Sequence, residues 1–322
     1  MHAPPDLIVR GLALDSRKVE EGFLFFALPG EKEDGGEFIA EAKARGAVCA
    51  VCEHPPETEI PYILVPDAHK ALALCAAVWY GTPAGKLTVV GVTGTNGKTT
   101  TTYLIKQLLE RTKGAKVGLI GTNQNLISDK TIPTDRTTPD ALTVQRLLAQ
   151  MVDAGCTYAV MEVSSHALMQ SRVEGIRFRV GVFTNLTQDH LDYHGTMEEY
   201  YLAKRMLADM SRTMVINIDD EYGRRTADYC RMSGIQAVTT SVNTSEADYF
   251  AEFIRLHPHG AEFLLTCPEK QKSWVAKIPL TGLYNVSNAV QAAVMCRMMG
   301  FPMEDVLAAL EKSPGVSGRL ET

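Results

Sequence analysis

From Leu87 onward the chain alternates short apolar runs with segments of helical periodicity, without an internal sequence repeat. The runs are LTVVGV, KVGLIG, YAVMEV, RVGVFTN, TMVINI and IQAVTT. Continuous rather than alternating apolar strands separated by helices imply a parallel sheet covered on both faces. Between about Asp248 and Lys277 the pattern changes to alternating strands (YFAEFIRL, AEFLLT, SWVAKI), which predicts a small antiparallel appendage. Two helices are expected after it, over NVSNAVQAAVMCRMMG and MEDVLAALEKS. Before Tyr80, apolar runs such as LFFALPG, AVCAV and YILVP mix with helical stretches, and GTPAGK, Gly81 to Lys86, reads as a linker. The fold class expected is therefore α/β, with a small domain over 1–86 and a larger one over 87–318.

Composition removes several classes of function. A formal net charge of −6 argues against partners that select basic patches, so neither nucleic acid nor an anionic membrane is expected. No apolar run reaches the roughly 18 residues that cross a bilayer. The start, MHAPPDLIVR, has no basic segment followed by an apolar one, so no signal peptide is readable and the cytoplasm is the expected compartment. The 7 cysteines are scattered, which suits reduced thiols. Cys49 and Cys52 spell C-x-x-C, but inside a strand, where positions three apart point to opposite faces.

VVGVTGTNGKTTTTYLIK, Val89 to Lys106, carries the chemistry. A strict phosphate loop has Gly, four residues, then Gly-Lys-Ser/Thr. Here the first position falls on Val92. The context is nevertheless a strand, a glycine-rich turn and a helix. A helix N-terminus aims backbone N–H groups at an anion, and Lys98 adds positive charge. Thr99 is placed to offer a hydroxyl to Mg²⁺. A plain strand–helix turn accounts for Gly94 and Gly97 but not for the Lys-Thr pair after them.

Two further residues stand at the carboxyl ends of expected strands, where ligands bind in open parallel sheets. They are Glu162, in MEVSSHAL, and His190, in VFTNLTQDHLDYH. His190 and His194 are four apart without the intervening Glu of a zinc protease helix. Thr196 with Glu199 forms a capping box and fixes the start of the next helix. On that helix Met197, Tyr200, Tyr201, Leu207 and Ala208 share one stripe, and Lys204 falls in its middle. A lysine there either snorkels its ammonium to water or turns it inward, where desolvation lowers its pKa. The helical wheel alone leaves both readings open.

TGTNGKTTT, TTPDAL, MEVSSHAL, NLTQDHLDYHGTMEEYYLAK, INIDDEYGRR and GLYNVSNA together resemble the Mur ligases, as does LDSRKVEEGFLFFALPGEKEDG near the start. The resemblance runs over essentially the whole chain, and that family carries the shortened T-G-x-N-G-K-[ST] loop. The wording is nearest to the ligases that add the third residue of the muropeptide.

The resemblance implies ATP-dependent amide synthesis through an acyl phosphate, with a diamino acid added to the D-Glu carboxylate of UDP-MurNAc-L-Ala-D-Glu. It implies that Gly94, Thr95, Asn96, Gly97, Lys98, Thr99 and Thr100 hold phosphates, with Asn285 and Arg319 also on the nucleotide side. Thr99 and Glu162 match the first Mg²⁺ site and His190 the second. Lys204 matches a lysine converted by CO₂ to a carbamate that approaches metal. Lys98, Lys204 and His190 are the expected catalytic residues. Leu14, Ser16, Thr137, Thr138, Ser164, Gln170 and Arg172 match the UDP-sugar-peptide side, together with the loop around Glu31 to Glu33. Arg136 stands where relatives carry Asn, and Glu31 and Lys32 also vary.

Relatives of this kind continue past a G-R-x-E junction, matched at 318–321 with Arg319 as its Arg, into a third domain that holds the incoming amino acid and would begin at 319–322. The sequence in hand covers the first two domains, so the added amino acid is not readable from it. The partners implied are UDP-MurNAc-dipeptide and a free amino acid, and a monomer is expected. Three other readings compete: a phosphate-loop kinase or NTPase, a non-catalytic module binding ATP and UDP-MurNAc-peptide, and folylpolyglutamate synthetase. The kinase gives no reason for Lys204 on an apolar stripe, and the LDSR segment argues against the synthetase.

Overall fold

The computed structural model describes residues 4, 6–30, 33–189 and 191–313. It divides into two compact units. The first comprises Met1–Pro83 with Asp140–Arg146 and Gln170–Gly175, and the second comprises Ala84–Pro139, Leu147–Met169 and Ile176–Thr322.

In the first unit four strands, β1 (Gly11–Ala13), β2 (Phe23–Phe26), β3 (Ala47–Cys52) and β4 (Tyr62–Leu64), form a sheet in that order. Every pairing is parallel. Alternation sorts the side chains. Ala13, Phe25, Ala50 and Cys52 pack with Ile39 and Ala42 of the helix Ile39–Ala44. Leu24, Phe26, Cys49 and Val51 pack with Leu72, Ala73 and Ala76 of the helix Ala68–Trp79. Cys49 and Cys52 thus lie in different clusters on opposite faces of the sheet, as strand periodicity requires. Phe25 and Phe26 are both fully buried, each worth about 1.5–3 kcal/mol of apolar transfer.

The second unit is built on one eleven-stranded sheet. Its strands in chain order are β5 (Thr88–Thr93), β6 (Val117–Ile120), β7 (Asn125–Ile127), β8 (Lys130–Ile132), β9 (Tyr158–Glu162), β10 (Val180–Phe183), β11 (Thr213–Asn217), β12 (Gln236–Ser241), β13 (Tyr249–His257), β14 (Gly260–Cys267) and β15 (Lys272–Ile278). Across the sheet they run β15-β14-β13-β12-β11-β10-β5-β9-β6-β7-β8. The six runs read from sequence are β5, β6, β9, β10, β11 and β12, and they pair in parallel.

Both faces are covered. The helices Lys98–Lys113, Leu283–Met298 and Met303–Glu311 pack on one, through Leu104, Ile105, Val290, Val294 and Leu310. The helices Met197–Asp209 and Glu221–Met232 cover the other, through Tyr200, Tyr201, Ala208, Ala227 and Cys230.

The antiparallel strands differ from expectation in one respect: they extend the main sheet. β13 pairs in parallel with β12 through Thr240–Tyr249 and Ser241–Phe250, and β14 and β15 then continue antiparallel. Their inward residues Tyr249, Ala251, Phe263, Leu265, Ala276 and Ile278 join the same core as β5 and β10. The hairpin β7–β8 at the opposite edge is an addition to what the sequence predicts, because its strands are only three residues each and its turn runs through a non-glycine residue, Ser128, at φ 54°.

Candidate functional site

β5 ends at Thr93, and the chain turns through Gly94 to Gly97 into the helix Lys98–Lys113. Both glycines are required by close approach. Gly94 has φ 144°, and a Cβ there would lie 1.9 Å from Thr184 Oγ1. Gly97 has φ 84°, and a Cβ would lie 2.4 Å from Asn288 Oδ1. Gly97 is the N-cap, so the N–H groups of the first helical turn have no partner within the helix and face the same way as the positive end of its dipole.

The loop is fastened to the segment following β10. Thr95 N donates to the Asn185 carbonyl at 2.9 Å, and Thr187 N donates to Thr95 Oγ1 at 3.0 Å. Thr184 Oγ1 donates to the Asn96 carbonyl at 2.6 Å.

Two lysines converge on it. Lys98 Nζ donates to the carbonyls of Gly94 and Thr95, each at 2.8 Å. Lys204 Nζ donates to the same Gly94 carbonyl at 2.8 Å. The Thr196–Glu199 capping box starts the helix of Lys204 as the sequence predicts. The helix turns this side chain inward, leaving it 2% exposed, with its nitrogen 4.5 Å from the Tyr200 ring centroid. Burial pushes the Lys204 amine well below the ordinary lysine value. The Lys98 charge pushes the same way, and Asp189 opposes. Of the two readings left open by the wheel, the inward one is observed.

Beside the lysines lies a buried carboxylate. β9 neighbours β5, with Glu162 opposite Val92. Glu162 is 0% exposed. Thr99 Oγ1 donates to its Oε2 at 3.2 Å, Thr122 Oγ1 to the same oxygen at 2.9 Å, and Thr122 N to Oε1 at 2.9 Å. A hydroxyl and a carboxylate oxygen on the edge of a phosphate loop fit Mg²⁺, which takes one or two protein oxygens and completes its shell with phosphate and water. Among the described residues no three His, Cys, Asp or Glu side chains gather as a softer metal would need.

Three of the residues expected on the substrate side meet at the same strand end. Thr138 Oγ1 donates to the Glu162 carbonyl at 2.8 Å, Ser164 N donates to Thr138 Oγ1 at 3.1 Å, and Thr137 Oγ1 lies 3.1 Å from Thr122 Oγ1, which can accept from it. In the first unit, Ser16 is buried and donates to Glu41 Oε2 at 2.7 Å, while Leu14 packs against the β2–β3 core. Also in that unit, Arg172 donates to Gln170 Oε1 from Nε at 3.0 Å and from Nη2 at 2.6 Å. His190, Arg319, Glu31 and Lys32 lie outside the described residues.

On the other side of the loop a pocket of about 700 Å³ is lined by Asn96, Gly97, Thr100, Asn185, Asn217, Asp219, Tyr284, Asn285 and Asn288, among others. Asn285, expected on the nucleotide side, is held there by donating from Nδ2 to the Thr281 carbonyl at 2.8 Å.

Several contributors escaped the sequence reading. Thr122, on Glu162, follows β6 and had a signal only in its position at a strand end. Asn217 and Asp219 sit at the end of β11 and reach the pocket by the same rule. Tyr200 and His194 read as core and as a failed zinc motif. His194 Nε2 is 2.8 Å from Ser165 Oγ, and its ring stacks on Tyr200 at 4.7 Å. The Tyr200 hydroxyl lies 3.3 Å from Thr95 Oγ1.

A glycine loop with Lys and Thr at a helix start, a buried carboxylate on the neighbouring strand and an adjoining pocket give the chain the architecture of a phosphate-loop α/β protein. Comparison with known proteins narrows this. The model of the Mur ligase middle domain matches residues 92–296, and that of the Mur ligase family catalytic domain matches residues 8–80. The chain belongs to the Mur ligase family. It is 44% identical over 99% of its length to UDP-N-acetylmuramoyl-L-alanyl-D-glutamate--2,6-diaminopimelate ligase of Geobacillus kaustophilus, and 44% identical over 98% to the ligase of that name of Clostridium tetani. A solved structure of a ligase with the same name is 30% identical and superposes with a TM-score of 0.85 over 97% of this chain. The chain spans 65% of the length of those two curated relatives and 64% of the solved chain.

Proposed function

We propose that the chain is the nucleotide- and UDP-sugar-peptide-binding portion of an ATP-dependent amide ligase of peptidoglycan precursor synthesis. The acceptor is UDP-MurNAc-L-Ala-D-Glu. The amino acid is 2,6-diaminopimelate, as in the names of the similar ligases. The observation that carries the reading is the convergence of Lys98, Lys204, Thr99 and Glu162 on one phosphate loop.

In this reading the D-Glu carboxylate oxygen attacks the γ-phosphorus of ATP, the bond to the ADP oxygen breaks, and an acyl phosphate forms. The amine then attacks the acyl carbon, loses a proton and expels inorganic phosphate. Crowded anions must meet during the first step, and their repulsion is the barrier this chain lowers. Lys98 supplies positive charge at the loop, and the N–H groups of the first helical turn hold phosphate oxygens. Thr99 and Glu162 would hold Mg²⁺, which when bound would neutralise phosphate charge.

Lys204 is read as carbamylated in the working enzyme. Its neutral Nζ adds to CO₂ and releases a proton, leaving a carboxylate-like group in place of a cation. Burial that lowers the amine's pKa supports this, because only the neutral amine is nucleophilic. Thr137, Thr138, Ser164, Gln170, Arg172, Leu14 and Ser16 are assigned to the UDP-sugar-peptide, Asn285 to adenine, and His190 and Arg319 to metal and nucleotide. The domains are taken as 1–86 and 87–318. The reading places a monomer in the cytoplasm. No described helix is long and apolar enough to cross a membrane.

Calorimetry with UDP-MurNAc-L-Ala-D-Glu tests the substrate assignment. Saturable binding that UDP-N-acetylglucosamine does not match supports it, and equal affinity for the two contradicts it.

A further inference from the structure

The segment after β10 grips the phosphate loop with more than backbone contact. Asn185 Oδ1 accepts from Asn96 N at 3.0 Å, and Asn185 Nδ2 donates to the Asn96 carbonyl at 3.1 Å. One primary amide thereby satisfies both backbone groups of a single loop residue, as a neighbouring strand would. The backbone carbonyl of Asn185 also accepts from Thr95 N at 2.9 Å. The position of this segment is fixed from the next strand, because Asn217 Nδ2 donates to the Thr184 carbonyl at 2.9 Å.

Asn96 precedes Gly97, whose φ of 84° points the next N–H groups out of the helix start. A non-glycine residue in such a loop keeps its place only if its polar groups are held, since a short loop without partners samples many conformations. We propose that Asn185 is a positioning residue for the phosphate loop: its side-chain amide locks the Asn96 peptide so that the N–H groups from Gly97 onward are presented to phosphate before ligand arrives. Pre-organised donors bind an anion without an ordering cost at the moment of binding. Asn185 also lines the pocket beside the loop. The inference rests on the nucleotide reading above.

The test uses the 322-residue chain with Mg-ATP as probe and follows amide hydrogen exchange at Asn96 by NMR. In Asn185→Ala the Asn96 amide should exchange at least tenfold faster and the Kd for Mg-ATP should rise at least tenfold, with Tm little changed. Asn185→Asp keeps an acceptor for Asn96 N but replaces the donor to the Asn96 carbonyl with a second oxygen, so the Asn96 amide should exchange more slowly than in Asn185→Ala while the Kd still rises. Asn185→Ser repeats the first measurement should Asn185→Ala lose its fold. A Kd within twofold of the unaltered chain overturns the proposal, as does a weakened Kd with unchanged exchange at Asn96. Absence of Mg-ATP binding by the unaltered chain overturns the nucleotide reading itself, and this inference with it.

Discussion

Lys98 and Lys204 donate to one acceptor. Their ammonium nitrogens each lie 2.8 Å from the Gly94 carbonyl oxygen, although 106 residues separate them in sequence and they come from different helices on opposite faces of the sheet. Two positive charges on one neutral oxygen would repel, and burial of Lys204 disfavours its charged form further. Such an arrangement is suited to accept negative charge, whether from phosphate or from a modified lysine.

The repulsion and burial predict a pH dependence. In the folded chain the Lys204 amine titrates below its ordinary value of 10.5. Between the two values the unfolded chain binds a proton that the folded chain does not, so stability rises with pH there. Below the folded value both states are protonated and the full penalty is present. Lys204→Met removes the titrating group. The difference in Tm between Lys204→Met and the unaltered chain should therefore change in favour of the unaltered chain as pH rises toward 10.5, in scans under nitrogen to exclude CO₂. A pH-independent difference contradicts the buried amine.

Carbamylation has a spectroscopic signature. Under ¹³C-bicarbonate at alkaline pH, the unaltered chain should show a carbamate carbon signal that Lys204→Ala lacks. The same signal in both proteins assigns it to another amine and removes Lys204 from the metal site.

Glu162→Gln keeps an oxygen for the Thr99 and Thr122 hydroxyls but loses the charge and the acceptor for Thr122 N. The variant should fold with a stability loss of about 1–3 kcal/mol for that unpaired donor, and its ATP affinity should no longer respond to Mg²⁺. A loss of about tenfold in Mg-ATP affinity, on the order of 1.4 kcal/mol, is expected. Calorimetry with and without Mg²⁺ checks it, and an intact response to Mg²⁺ contradicts the placement.

Much of this is readable in the sequence, and the failures at the site share a cause. β5, β9 and β10 announce themselves as apolar runs because both sheet faces are buried. The Thr196 cap is local chemistry, and Lys204 betrayed itself by polarity in an apolar stripe. Thr122 and Asn185 were silent because their roles depend on which strands become neighbours: β9 beside both β5 and β6, and β10 beside β5. Nothing within β6 or β10 encodes that order. The β7–β8 hairpin was missed for a different reason, since Asn125–Ile132 turns at Ser128, a non-glycine residue at φ 54°.

Gly94→Ala should destabilise the chain by about 2 kcal/mol or more, because it adds left-handed strain to the contact with Thr184. Urea unfolding measures this, and a change below about 0.5 kcal/mol, typical of surface sites, would show that the loop relaxes freely.

The central claim is that the loop at Gly94 to Thr100 holds the phosphates of ATP with Lys98 as its cation. Calorimetric titration of Mg-ATP into the unaltered chain and into Lys98→Ala tests it most directly. Loss of one charge-assisted contact of about 1.5–3 kcal/mol predicts a Kd raised by about one to two orders of magnitude, with the fold intact. Equal affinity in the two proteins would contradict the assignment of this loop.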